Sequence, residues 1–439
     1  TGTITSDGLT VHGSISADGY CGDTNHNTRF GTEALDAITT GSRNVAIGLA
    51  AGSNVTEGSY NTAVGCGALL LTNTGNNNTA VGNAALQCNS SGCYNVAIGD
   101  SALNKNKANC NIAIGQQAMY CNFSGCRNVA VGNYSLRDNL SGDDNTSVGY
   151  FALACNTGLG GLGFRNTALG FKALNLNTTG YNNTGLGYCA GYSNQTGNCQ
   201  VAIGYQALKS STVGENVAVG ADAAAANTTG LQNVAVGYKA MCSNTSGCCN
   251  TGLGYCALNS NITGLYNTGV GFSTLQKNIS GCHNTAVGFF AGCGITTGCY
   301  NTAIGNESLR NTTTACCNTA VGRAALYTNT TGCCGTAVGV EALKCNSTGN
   351  NNTAVGQGAS CENTDGDNNA ALGYTALGCN TEGYQNAAVG SKASFNSTTG
   401  YNNAALGFCA LHCVTTGYGN VGVGSCAIRG SAAIEGYGN

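Results

Sequence analysis

The sequence predicts an all-β fold: a parallel β-solenoid, or β-roll, of 24 coils with a 17-residue period. Three observations predict it. A pentad of the form N-[TV]-A-[VIL]-G recurs along the chain, as in "NTAVGCGALLLTNTGN" (61–76), followed at once by "NNTAVGNAALQCNSSGCY". Turn-forming Asn and Gly recur with it at fixed offsets. Finally, the 439 residues include 69 Gly but no Pro.

The pentads open at residues 27, 44, 61, 78, 95, 111, 128, 145, 166, 183, 200, 216, 233, 250, 267, 284, 301, 318, 335, 352, 369, 386, 403 and 420. Their spacing is 17 residues, shortened to 16 twice and lengthened to 21 once, across the "GLGGLG" that ends at Gly163. With the opening Asn as position 1, the consensus is N-[TV]-A-[VIL]-G-x-x-A-L-x-x-N-x-[ST]-G-x-x. Such a coil is too short for a helical-hairpin repeat of roughly 33 residues and suits two short strands and two turns. Positions 2 to 4 supply the first strand through largely β-branched residues at 2 and 4. Gly at position 5 and N-x-[ST]-G at positions 12 to 15 supply the turns, Asn by capping and tolerating left-handed backbone, Gly by taking positive φ. The absence of proline fits a ladder in which most backbone N–H groups are needed donors. At ~4.8 Å per coil the rod is expected to be roughly 115 Å long.

The strand is small or apolar on both faces, with positions 2 and 4 pointing one way and Ala at position 3 the other; such strands are usually buried on both sides. One side fills the coil interior with Ala at 8 and Leu at 9. The other needs a neighbour, and the Ala face, typified by Ala63, is expected to lie between chains of a homo-oligomer, either a trimer or a filament. Residues 1–26 are expected to form an extended attachment segment, 27–424 the repeats and 425–439 a tail. A formal charge of −3 with only 8% charged residues gives no electrostatic case for nucleic acid. No apolar run approaches the ~20 residues of a spanning helix and no signal peptide is visible, so membrane insertion is not expected.

"NVAIG" at Asn44 to Gly48 and "NTAIG" at Asn301 to Gly305 resemble the β-roll head repeats of trimeric autotransporter adhesins. The longer form, "NTAVGYxAL…NTTG", is similar to repeats of phage and virus tail-fibre proteins, and "ITSDGLTVHGSIS" (4–16) to segments preceding such shafts. The resemblance covers nearly the whole chain. It implies a trimeric, rod-like fibre exposed outside a cell or on a virion. The adhesin heads have shorter coils and few cysteines; this chain has longer coils and 27 Cys.

The repeat cysteines avoid the pentad and fall at positions 6, 7, 10, 11, 16 and 17, the edges of the turns. Cys88 with Cys93, Cys121 with Cys126, Cys242 with Cys248, and Cys293 with Cys299 flank the same turn, a spacing that predicts loop-closing disulfides and an oxidising compartment. Cys282, Cys299, Cys316 and Cys333 share one position in successive coils, where a rise of about 4.8 Å falls within the Cα separation of a disulfide. Bridges between rungs are a second option. Four His and no regular C-x-x-C give no zinc site, and no cofactor is expected.

Sequons arise in the turns, among them Asn89, Asn122, Asn177, Asn227 and Asn329; they are glycan acceptors in a secreted protein or simply what the turn demands, and the second reading is preferred. Position 6 is aromatic at Tyr150, Phe171, Tyr188, Tyr205, Tyr238, Tyr255, Phe272 and Phe289. This stripe suits either edge packing or a glycan surface. Thr at position 2 (Thr62, Thr79, Thr268, Thr285) is interrupted by Val45, Val96, Val129, Val217 and Val234, which suits burial better than an ice-binding face. His12, His26, His283 and His412 have no recurring nucleophile or carboxylate partner, so no enzyme is expected. The function expected is a structural fibre or adhesin shaft, engaging a cell-surface glycan or protein receptor; the alternatives are a glycan-binding module and an ice-binding solenoid.

Overall fold

A computed structural model describes residues 25–428. The attachment segment expected over 1–26 therefore lies outside the described residues apart from Asn25 and His26, as does most of the tail. Every pentad forms a three-residue strand, from β1 (Thr28–Phe30) to β24 (Val421–Val423). Neighbours in the ladder pair in parallel with like positions opposed, for example Thr251 with Thr268, Gly252 with Gly269 and Leu253 with Val270. The described chain divides after Arg165 into two compact units. The first holds β1 to β8 (Thr146–Val148) and the second β9 (Thr167–Leu169) to β24. Among the described residues the only helical element is a 3₁₀ turn at Leu159–Gly161, and no helix is long and apolar enough to cross a membrane.

Each coil has one strand, not the two expected. Positions 6 to 11 run as consecutive turns, with left-handed backbone at 7, 9 and 17, as in Cys256 (φ 52°), Leu258 (φ 52°) and Tyr266 (φ 56°). These turns keep the inter-coil ladder without β geometry: the Cys256 N–H donates back to Tyr238 O at 3.0 Å and the Leu258 N–H forward to Thr274 O at 2.9 Å. A left-handed Leu costs roughly 1–2 kcal/mol. Complete burial of its side chain, worth about 1.5–3 kcal/mol, offsets that cost.

The strand also faces the other way. Ala at position 3 points into its own coil, with Ala286 and Ala320 fully buried and Ala63 3% exposed, so the Ala face does not lie between chains. The limit is volume. Gly replaces Ala in four coils, at Gly185, Gly252, Gly269 and Gly422, and a Cβ built on the first two would stand only 2.7 Å from Leu174 Cγ and 3.0 Å from Met241 Cγ, the position-9 side chains that fill the interior.

Two buried asparagine ladders complete most coils. At position 1 the Asn250 Nδ2 donates across the coil to Gly264 O (2.8 Å), and at position 12 the Asn261 Nδ2 donates to the same oxygen (3.2 Å). Their own oxygens serve the next coil: Asn250 Oδ1 accepts the Asn267 N–H (2.9 Å) and Asn261 Oδ1 accepts Asn278 Nδ2 (2.7 Å). Asn at 12 thus caps as expected, but Gly at 15 is not there for positive φ. Gly264 has ordinary φ, and a Cβ on it would lie 2.3 Å from Asn261 Oδ1 and 2.6 Å from Gly281 O. Gly at 5 answers to both demands, as at Gly254, with φ +135° and a Cβ position 2.3 Å from Gly271 O.

Length changes are absorbed without losing the shared acceptor. Across the 158–163 insertion, Gly163 O takes both Asn145 Nδ2 and Asn156 Nδ2 at 2.9 Å. In the short coil opening at Asn95, Ala108 O takes Asn95 Nδ2 (2.9 Å) and Asn106 Nδ2 (2.8 Å).

Asn261→Ala removes the donor to Asn244 Oδ1 and one of two donors to Gly264 O. It is expected to cost about 3 kcal/mol, because a buried acceptor loses its partner. Asn306→Ala, at an exposed position 6, should stay within about 0.5 kcal/mol. Urea midpoints of the two variants check this; equal midpoints would sink the ladder argument.

Candidate functional site

With Ala inward, side chains at positions 2, 4 and 6 form the outer face of the strand ladder. In the second unit Thr occupies position 2 without interruption at Thr251, Thr268, Thr285, Thr302, Thr319, Thr336 and Thr353. These side chains are half-buried or exposed, so the expectation of burial within the chain fails for the Thr row. Beside it run the aliphatic residues of position 4, with Ile304 40% and Val338 37% exposed, and then the aromatic residues of position 6, with Tyr255 48% and Phe289 46% exposed.

The rings stack along the axis. Phe171, Tyr188 and Tyr205 follow one another at 5.0 and 5.3 Å. Tyr238, Tyr255, Phe272 and Phe289 follow at 5.3, 5.0 and 5.3 Å, the two stacks being separated by Ala221. Tyr150, in the first unit, instead packs edge-on against Tyr134 and Phe151. Lys172 and Lys239 lie 5.3 and 5.2 Å over the Phe171 and Tyr238 rings, and a hydrogen bond to Tyr238 holds the Lys239 ammonium above its usual range. Inside a stack each ring has a neighbour on both faces. A sugar needs an open face to stack on, so this geometry argues for packing.

Other candidates are placed differently. Asn89, Asn122, Asn177, Asn227 and Asn329 are fully buried, and their Nδ2 atoms donate to Gly92 O (2.8 Å), Gly125 O (2.7 Å), Gly180 O (2.9 Å), Gly230 O (2.9 Å) and Gly332 O (2.8 Å). A glycan on those nitrogens is incompatible with this fold; the turn demands the Asn.

Every cysteine among the described residues is a free thiol, including Cys88, Cys93, Cys121, Cys126, Cys242, Cys248, Cys293 and Cys299. The direction of the side chains keeps these thiols apart. The position-12 side chain, an Asn amide in three of the four turns and Ile295 in the fourth, occupies the inside of the turn, and the flanking thiols bond to different neighbours. Cys93 Sγ accepts the Asn76 N–H (3.3 Å) and Cys248 Sγ the Leu231 N–H (3.3 Å). Cys242 Sγ instead meets Asn259 Nδ2 (3.5 Å), and Cys293 Sγ meets Arg310 O (3.5 Å). The case for an oxidising compartment, which stood on these bridges, goes with them.

Three further ladders escaped the sequence reading although each repeats at i, i+17. Tyr266, His283 and Tyr300 stack at 4.9 and 4.8 Å, and Tyr384, Tyr401 and Tyr418 at 4.9 Å. At position 13 the hydroxyls climb the axis, Thr296 Oγ1 to Thr313 O (3.0 Å), Thr313 Oγ1 to Thr330 O (3.1 Å) and Thr330 Oγ1 to Ser347 O (3.0 Å). Compared with known proteins, the chain matches no family model and no curated protein.

Ala286→Asp, which places a carboxylate inside the coil, is expected to abolish the cooperative melt, whereas Thr285→Asp should leave the circular dichroism spectrum unchanged. The thiols offer a second check. Burial, then the Glu362 carboxylate and the Cys345 and Cys379 thiols, push the Cys361 thiol up to about 11. Because the thiolate is the reactive form, native Cys361 should alkylate more slowly than Cys93 at pH 8, its rate climbing roughly tenfold per pH unit until that pKa. A mass spectrum showing Cys88 linked to Cys93 would contradict the free-thiol arrangement.

Proposed function

We propose that the chain is a structural shaft, a fibre or adhesin stalk of a virion or cell surface, whose solenoid units associate side by side with further copies of the same chain as a trimer. One observation carries this reading: the outer strand face of the second unit keeps a half-exposed or exposed aliphatic side chain at position 4 on every rung, joined at position 6 by the rings of Phe171 to Tyr205 and of Tyr238 to Phe289. A stack of four half-exposed rings, at roughly 100 Å² each, flanked by a parallel aliphatic row, already matches the largest apolar patch of a typical monomer, a few hundred Å². The face repeats once per coil, every ~4.8 Å. A partner that keeps like rows matched over many rungs must share that rise, and another copy of this chain does.

The location outside a cell or on a virion is supported by the resemblance of the pentads to adhesin-head and tail-fibre repeats. The work of such a shaft is mechanical: it holds a receptor-binding tip away from a surface. The unbroken Thr row from Thr251 to Thr353 favours one second reading, a face that orders water and binds ice; thermal hysteresis of the purified protein separates the two.

Multi-angle light scattering at micromolar concentration is expected to return three chain masses. Combining Tyr255→Lys, Val287→Lys, Ile304→Lys and Val338→Lys should shift the particle to one chain with an unchanged circular dichroism spectrum. A monomeric unsubstituted chain would overturn the proposal.

A further inference from the structure

Position 16 carries cysteine in four successive coils of the second unit, Cys282, Cys299, Cys316 and Cys333. The backbone N–H of each donates to the sulfur of the next: Cys282 to Cys299 Sγ, Cys299 to Cys316 Sγ and Cys316 to Cys333 Sγ, each at 3.2 Å. The repeated geometry means that successive sulfurs are related by the coil rise, ~4.8 Å. Each thiol donates weakly to the carbonyl two residues back, Ser280 O at 3.3 Å and Thr297, Thr314 and Thr331 O at 3.5 Å. Cys317 and Cys334, both exposed, stand beside the last two. Desolvation and then the Cys334, Cys316 and Cys333 thiols raise the Cys317 thiol, so these four sulfurs sense one another.

The spacing excludes two of the usual fates of paired thiols. In register, Cβ atoms on neighbouring coils stand ~4.8 Å apart, beyond the roughly 3.5–4.5 Å that a disulfide takes; the Cα criterion alone had concealed this. Zinc needs about four ligands in a tetrahedron, and among the described residues no three His, Cys, Asp or Glu side chains converge on a metal position. A two-coordinate ion is different. Two bonds of the zinc–thiolate length, about 2.3 Å, laid end to end span about 4.6 Å, close to the coil rise.

We propose that the position-16 ladder is a binding site for a soft monovalent metal cation of the copper(I) class, each ion bridging the sulfurs of two successive coils. Thiolate sulfur is the ligand that selects such ions. On binding, two S–H bonds break, two S–metal bonds form, and two protons leave to solvent; no electron is transferred. The thiol-to-carbonyl contacts are given up. The backbone N–H bonds to sulfur remain, and they are better bonds to a thiolate than to a thiol. The site is therefore held in place before the ion arrives.

The test uses the full chain, reduced and anaerobic, titrated with copper(I) against a chromophoric copper(I) chelator. Replacing Cys282, Cys299, Cys316 and Cys333 together by Ser is expected to remove about two tightly held ions per chain, one for each pair of sulfurs. Replacing Cys66, Cys155 and Cys199, which have no cysteine at the same position in an adjacent coil, should remove none. X-ray absorption of the copper-loaded, unsubstituted chain should find two sulfur neighbours per ion, a reading that does not depend on the variant folding. Equal stoichiometry in the two variants, or a shell of three or four sulfurs, would overturn the proposal.

Discussion

The constraint on which the structure depends is the buried carbonyl at position 15. It closes a turn inside the coil, where an unpaired oxygen would cost about 1–3 kcal/mol, and in most coils two asparagine amides from the same coil satisfy it. Asn78 and Asn89 both reach Gly92 O at 2.8 Å. One amide crosses from the strand and the other spans the turn, so this oxygen fixes the coil's width and the turn's shape together. The rest follows: the glycine that lets the next coil approach, the interior too narrow for more than Ala opposite Leu, and the outward aim of positions 2, 4 and 6. The insertion before Gly163 and the short coil ending at Cys110 change everything in the turn except this arrangement.

The period, the strand and the capping role of Asn at 12 are legible in the sequence, because each is a local preference repeated many times. Which face of the strand is inside is not. Alternation shows that two sets of side chains oppose one another, but when both are apolar it cannot choose between them. Volume chooses: opposite Leu174 a Cβ at Gly185 would already stand 2.7 Å from its Cγ, and the equivalent buried positions take nothing larger than Ala or Ser147. The left-handed Leu at 9 is hidden for a related reason: propensity argues against it, and burial overrides propensity. The disulfide expectation failed on direction. Cys93 stands five positions after Cys88, but Asn89 lies between them and takes the inside of the turn.

The same register that stacks the asparagines stacks whatever stands at the outer positions. A side chain at position 6, 13, 16 or 17 has its own kind above and below whenever the sequence repeats it. The solenoid thereby converts one-dimensional repetition into columns of rings, hydroxyls or thiols at a spacing set by the backbone. A column is a collective object: rings in a stack cover one another, and sulfurs in a column lie at a distance no single turn would create. The chemistry of the surface is accordingly read down columns, not within coils.

The ladders also have a direction, and it decides where the repeat tolerates change. At position 1 the axial donor is a backbone N–H, so Gly335 can replace Asn there and still donate to Asn318 Oδ1 at 2.8 Å. At position 12 the donor is the side chain itself. Where Ile295 and Ser397 stand in place of Asn, the acceptors one coil earlier, Asn278 Oδ1 and Asn380 Oδ1, are the ones left without a partner. The Ile295 coil also has Gly292 at position 9 in place of Leu, and the isoleucine, 1% exposed, occupies the space that leucine leaves. The loss of a polar contact is set against a gain in apolar burial. Substitution at position 12 therefore acts on two coils at once, on the orphaned oxygen of one and the core volume of the other; substitution at position 1 keeps its own axial donor but removes the oxygen that accepts the next coil's N–H, as Asn250 Oδ1 does from Asn267.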